Sequence, residues 1–307
     1  MKYHAFLRVS LIVLLFSTPS FALDPVQIQV DQKVPHGNGQ LGVGSHLTMK
    51  IPGENGKDSK SVSGVFLGKV IDPNGALEKY MLLDETDSKV YFVDKANVEI
   101  GKYSFQPVLK PYDQVGGTCT GYAIDHFFQQ MYWSGDEGTG ELKIELGTEK
   151  GRTQMLVDSI NEYYLVLQHR FSLIGVMNKI GTRFGIKCKT KSFTDSESAI
   201  QFLQVELKLG LPVMISFNIG PNMATAPFPI STYGDKKELD SRLWIPRARG
   251  QRNSGGHTVV AASYFETNGR PMLLMVDSDW AEPRVWDVKN NFNTKTAIEE
   301  VEFLTCQ

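Results

Sequence analysis

Two β-rich runs late in the chain, HTVVAASYFE at 257–266 and RPMLLMVD at 270–277, are separated only by Thr267-Asn268-Gly269. An Asn-Gly pair favours the turn in which both central residues take positive φ, and the twist of that turn suits two antiparallel strands. The chain is therefore committed here to a hairpin. PVMISFNI at 212–219, bounded by Gly and Pro, reads as a buried strand ahead of a long loop over 220–255. Further short strands are expected at 283–288 and 300–305.

The preceding part reads as helical. Residues 119–133 carry Ile124, Phe127, Phe128, Met131 and Tyr132 at helical spacing, a buried stripe on one face, and Gly116-Gly117-Thr118 supplies the turn and N-cap before it. A second helix is expected over 152–170 through Leu156, Ile160, Tyr163, Tyr164 and Leu167. A third starts at a capping box, Thr194 to Glu197, and runs to Leu209, where Gly210 and Pro212 stop it. Helices first and an antiparallel β part after them make an α+β domain.

Residues 46–100 have another texture: HLTMKI, VSGVFLGKVI, KYMLLD and KVYFVD alternate with GENGKDSK, DPNG and ETDS. Short strands between turn signals predict a small all-β barrel or half-barrel. The turn-rich stretch 23–45 is expected to be a loosely packed lead-in, and Pro107 and Pro111 mark a boundary near 103–111. A chain of 307 residues has room for both units. The expected organisation is a β domain at 23–105 and a larger domain at 106–307.

At the N-terminus, Lys2 and Arg8 flank the apolar run VSLIVLLF, and Ser20-Phe21-Ala22 offers small residues for a signal peptidase. The run is far shorter than the ~20 residues that span a bilayer, so residues 1–22 read as a cleaved signal peptide. The expected location is secreted or periplasmic, with no membrane association after cleavage. Cleavage would remove Lys2 and Arg8 and take the formal charge from −2 to −4. A mildly acidic chain without clustered Lys and Arg lacks the footprint of a nucleic-acid binder.

A cysteine acts as a nucleophile in its thiolate form, and a helix start favours negative charge through unpaired N–H groups and the helix dipole. Cys119 stands at such a start. A lone cysteine is more often a small buried apolar group, and the functional reading draws its weight from His257. This residue opens a strand after Gly255-Gly256, where an imidazole can project into a cleft and share a proton with a thiolate. Asp277 and Asp279 lie across the hairpin and share a strand face, so register decides which one holds the far ring nitrogen; Asp277, which closes the apolar run, is chosen. Gln114, five residues before Cys119, is a candidate donor to an oxyanion alongside the Cys119 N–H. Trp280 is a candidate shield for the His257–Asp277 bond, and His126 is expected to point elsewhere. The remaining cysteines, Cys188 and Cys306, form a disulfide or stay as two buried thiols. No Cys or His has a neighbour at ligand spacing, so neither a metal nor a cofactor is expected.

These strings resemble the papain-like cysteine peptidases, and staphopain-type bacterial enzymes in particular. YDQVGGTCTGYAIDHFF is similar to their nucleophile segment, GLPVMISFNI to the strand opening their β half, and GGHTVVAASYFETNGRPMLLMVDSDW to their His strand, hairpin and following Trp. The chain departs from papain in having Thr120 and Gly121 where papain has Trp and Ala, and in a Gln114-to-Cys119 spacing one residue shorter. The resemblance implies a papain-like catalytic domain with a helical half and an antiparallel β half. It also implies peptide-bond hydrolysis through Cys119, His257, Asp277 and Gln114, protein or peptide substrates, and an inhibitor protein as a partner. The β domain would then be a propeptide that covers the cleft or a permanent module. A Cys-His-Asp set also serves transglutaminases and cell-wall amidases, and an inactive papain-like binding protein is a reading of another class.

Overall fold

The structure, a computed structural model, describes residues 23–34, 41–53, 58–71, 78–101, 103, 107–109, 114, 117–134, 140–168, 172–280 and 282–307. The expected signal peptide lies outside the described residues. No helix among them is long and apolar enough to cross a membrane. The architecture is mixed α and β.

The first unit is a curled sheet of β1 (Val26–Gln32), β2 (His46–Ile51), β3 (Lys60–Ile71), β4 (Glu78–Asp84), β5 (Lys89–Asp94), β6 (Val98–Ile100) and β7 (Pro107–Leu109). Strands β1 to β5 run antiparallel in sequence order, β6 lies parallel beside β1, and β7 parallel beside β3. The curl has a local cause. The β3–β4 register slips between Phe66 and Gly68, and Gly68 takes φ 131°. A bulge of this kind bends a strand and increases its twist. The β pattern expected over 46–100 is present, but the turn-rich 23–45 stretch is not merely a loose lead-in: it contributes β1, with Val26 and Ile28 buried.

Runs such as VFL in β3 are buried on both sides because alternate residues serve two cores. Phe66, Tyr80, Leu82 and Val93 point inside the curl with Leu47 and Met49, whereas Val65, Leu67, Met81, Leu83, Val90 and Phe92 point outward into the main core. That core continues without a break into the second unit, through Phe127 and Phe128, Phe228 and Ile230, and Phe265 and Met272.

The second unit begins with α1 (Cys119–Ser134), α2 (Gly140–Leu146), α3 (Glu149–Leu167) and α4 (Leu173–Thr182). After them come β8 (Cys188–Lys191), α5 (Ser196–Lys208), β9 (Val213–Ile219), β10 (Ala224–Thr225), β11 (Ile230–Thr232), β12 (Glu238–Leu239), β13 (Arg242–Leu243), β14 (Gly255–Thr267), β15 (Arg270–Val276), β16 (Arg284–Asp287), α6 (Val288–Asn291) and β17 (Glu302–Cys306). Six of these strands form an antiparallel sheet in the order β16-β15-β14-β9-β17-β8. Asn268 and Gly269 both take positive φ between β14 and β15, as the hairpin turn requires. Cys188 and Cys306 face each other across β8 and β17 and form a disulfide, their Cα atoms 4.0 Å apart.

Three helix expectations change. α1 does not bury a stripe: every residue from Gly121 to Met131 is buried, because α1 is enclosed by α3, the six-stranded sheet and β-domain side chains. On α3 the buried residues are Met155, Ser159 and Tyr163, while Tyr164 and Leu167 are exposed. The cap of α5 is Asp195, whose carboxylate accepts from the Ser198 N–H, and not Thr194. The loop over 220–255 is also more ordered than expected. Its β11 pairs in parallel with β5, and β12 pairs with β11, so the first sheet grows to nine strands with two supplied by the second unit.

Burying all of α1 places two titratable groups in the core. Asp125 is fully buried; Gln129 Nε2 donates to its Oδ2 at 2.6 Å, and its Oδ1 has no hydrogen-bond partner among the described residues. Burial pushes the carboxyl up to about 8, against the Gln129 bond, and holds the neighbouring His126 down to about 3. An unfolded Asp loses its proton near pH ~3.9. Between that pH and about 8 the folded chain keeps a proton that the unfolded chain has released, so this group makes stability fall as pH rises. Asp125→Asn should therefore melt higher than wild type at pH 8, with the advantage gone near pH 4. A wild type that melts higher at pH 8 would show an ionised, stabilised carboxylate instead.

Candidate active site

Cys119 is the first residue of α1; the Thr118 carbonyl already accepts the helical bond from the Tyr122 N–H at 3.2 Å. Its thiol thus sits at the positive end of a helix dipole. Cys119 is the one free cysteine of the chain. Gly121 lets α3 come close behind it: a Cβ there would lie 3.1 Å from the Ile160 Cα.

His257 is the third residue of β14, paired with Phe217 of β9. The Phe217 ring meets the imidazole edge-on at 5.8 Å between centroids, and His257 is 4% exposed. Val276 pairs with Val260, so Asp277 emerges beside Val259, which shares a strand face with His257. The Asp277 carboxylate reaches His257 Nε2 at 3.0 and 3.1 Å. Asp279 Oδ2 is 4.0 Å from the same nitrogen. Its carboxylate instead accepts from the Trp244 indole N–H at 2.5 Å, and the Asp279 backbone N–H donates to Asp277 Oδ1 at 3.0 Å. The two acids therefore play different parts, Asp277 holding the ring and Asp279 bracing the turn.

Nε2 is committed to Asp277, so Nδ1 is the ring nitrogen left to serve the Cys119 thiol, which lies near enough to raise the imidazole's proton affinity. Burial acts to lower the imidazole's proton affinity. The Asp277 charge and hydrogen bond, together with the contact to Cys119, outweigh it and raise His257 to about 10. The ring is thus held as imidazolium at neutral pH. Asp279 moves the other way from an ordinary carboxylate: burial raises it, and the neighbouring Asp277 charge adds to the rise.

Gln114 is tied to the residue after Asp277. Its backbone N–H donates to the Ser278 carbonyl at 3.0 Å, and the Ser278 hydroxyl donates to Gln114 Oε1 at 2.8 Å. With the amide oxygen occupied, the NH2 end is left to donate. The structure therefore brings Cys119, His257 and Asp277 together and anchors Gln114 beside them. The Trp280 ring lies over the Arg284 guanidinium, 4.6 Å from it, and packs partly buried against the core cluster that holds Phe217. Besides Phe217, a second aromatic stands beside the imidazole: Trp244, with ring centroids 6.3 Å apart. Sequence reasoning missed Trp244 because it lies in the 220–255 loop, where no periodicity places a side chain. His257, Asp277 and Asp279 also have ligand atoms within 4.8 Å of one another, but a hydrogen bond already joins the first two.

Scanned against known protein families the chain finds no match, and it finds none among curated proteins.

Proposed function

We propose that this chain is a cysteine peptidase of papain-like organisation, with Cys119 as nucleophile, His257 as acid and base, and Asp277 orienting the ring. The observation that carries the reading is a single imidazole with a buried carboxylate on Nε2 and, near enough to raise its proton affinity, a thiol at the first residue of a helix. A helix that opens on the nucleophile and packs on an antiparallel sheet carrying the base supports the papain-like organisation. In this mechanism the Cys119 thiolate attacks the substrate carbonyl carbon. The resulting oxyanion takes hydrogen bonds from the Cys119 N–H and the Gln114 NH2, and a lost donor of this kind costs roughly 2.7–4 kcal/mol. The C–N bond breaks as His257 Nδ1 gives its proton to the leaving amine, which leaves a thioester on Cys119. A water then attacks the thioester, giving a proton back to Nδ1, and the acid product departs as the thiolate returns.

Carbon–sulfur bond formation is the step to test. An epoxysuccinyl inhibitor of cysteine peptidases should add one label per chain, mapped to Cys119 by peptide mass, and Cys119→Ala should take none. A folded wild type that stays unlabelled at pH 6–8 would be an inactive relative of such enzymes. Labelling without cleavage of casein, but with amine incorporation or muropeptide cleavage, would move the chemistry to another acyl acceptor or substrate.

A further inference from the structure

The residues that directly follow the nucleophile and the base also meet. Thr120 Oγ1 lies 2.9 Å from Thr258 Oγ1, and the Thr258 hydroxyl donates onward to Ser216 Oγ of β9 at 3.3 Å. At the near end Thr120 Oγ1 is 4.0 Å from Cys119 Sγ. Tyr163 of α3 stands close by, its hydroxyl donating to the Gly117 carbonyl at 3.5 Å. A chain of hydroxyls thus crosses from the helices to the sheet beside the thiol.

Where these hydroxyls stand suggests what they do. Cys119 and His257 are 138 residues apart in sequence, on elements that share an apolar core: Ile124, Phe127 and Phe128 of α1 pack with Met214 and Val260 of the sheet. Apolar packing is non-directional and tolerates small slides, whereas a hydrogen bond near 3 Å is lost over a fraction of an ångström. A misplacement of ~1 Å between reacting groups can cost ~100-fold in rate. Strand alternation turns Thr258 toward α1 on the face opposite His257, so it can grip the helix without competing for the ring.

We propose that the Thr120–Thr258 hydrogen bond, continued to Ser216, is a strap that fixes the separation of Cys119 from His257 across the two halves of the molecule. Both threonines are positioning residues. The inference rests on the thiolate–imidazolium reading of the site.

Thr120→Val and Thr258→Val keep the side-chain shape and remove the hydroxyl. Each should lower kcat on a peptide substrate about tenfold, the size of one hydrogen bond, with KM nearly unchanged. Iodoacetamide should alkylate Cys119 in either variant about tenfold more slowly than in wild type at pH 6, yet at the wild-type rate at pH 9, where a free thiol is itself ionised. The double variant should be no slower than either single one, and Thr→Ser at the same positions should restore both readouts. Valine variants that match wild type in kcat and in alkylation at pH 6 would overturn the strap while leaving the dyad intact. A wild type whose Cys119 reacts at pH 6 no faster than a free thiol would overturn the dyad and the strap together. Should a valine variant fail to fold, Ser216→Ala cuts only the far link; slowed alkylation at pH 6 supports the strap, and a wild-type rate refutes it.

Discussion

Asp277→Ala should lower kcat/KM on a peptide substrate by about 10²- to 10⁴-fold, and Asp279→Asn by far less. The two carboxylates are two residues apart, yet only Asp277 touches Nε2, at 3.0 and 3.1 Å, while Asp279 stands off at 4.0 Å and serves the Trp244 indole. The alkaline limb of the pH profile separates loss of charge from loss of shape. In wild type the imidazolium persists to about 10 because Asp277 and Cys119 overcome the effect of burial. Without Asp277 the burial remains and its largest opponent is gone, so the ring loses its proton at lower pH and the alkaline limb moves down with it. Asp279→Asn should leave that limb nearly in place. Rates on a fluorogenic peptide from pH 5 to 10 decide the matter: equal losses from both substitutions, or an unmoved limb in Asp277→Ala, would remove Asp277 from its assigned role.

The hairpin explains why this pair was legible in the sequence while other parts were not. Asn268-Gly269 fixes where β15 folds back on β14 and so brings the end of one strand beside the start of the other, but the face is set by the bulge between Ala261 and Ser263. Plain alternation from the turn would put Asp277 opposite Val260, and the one-residue slip puts it opposite Val259, on the face of His257. The strands over 46–94 were legible for the same local reason. The helical part was harder to read. α2 is only seven residues (GELKIEL) with no start signal, and α4 (LIGVMNKIGT) is a short apolar segment whose Gly175 and Gly181 read as breakers. Gly181 is there because Ile186 crosses it, where a Cβ would lie 2.8 Å from a carbonyl oxygen. Full burial of α1, with Asp125 and His126 inside it, follows from the β domain covering a face that the sequence assigns to solvent. The roles of Trp244, Thr120 and Thr258 depend on segments more than a hundred residues apart, or on loop geometry, and no periodic pattern encodes either.

A full chain given an engineered protease site between β6 and β7 and cut there in the folded state should remain one particle on gel filtration, with the rate on a peptide substrate unchanged from that of the uncut chain. The β domain is not held by its linker alone. Strand β11 of the second unit lies in the first sheet, Ile230 opposite Val90, and the Val90 N–H donates to the Pro229 carbonyl at 2.7 Å. Lys89 pairs with Glu238 at 2.9 Å, the Thr267 hydroxyl donates to Glu85, and the Tyr233 hydroxyl donates to the Asp24 carbonyl at 3.2 Å. Beneath these contacts Val65, Leu67, Met81 and Phe92 share one core with Phe228, Ile230 and α1, and a carboxylate placed there would meet several kcal/mol of desolvation cost. The same loop bears Trp244, which bonds Asp279 at the triad, so loosening the seam disturbs the wall of the site. Ile230→Asp in the uncut chain should accordingly lower the melting temperature and the activity together. If the cut pieces instead separate without denaturant and the larger one gains activity, the β domain is a detachable cover and the shared sheet is only its docking mode.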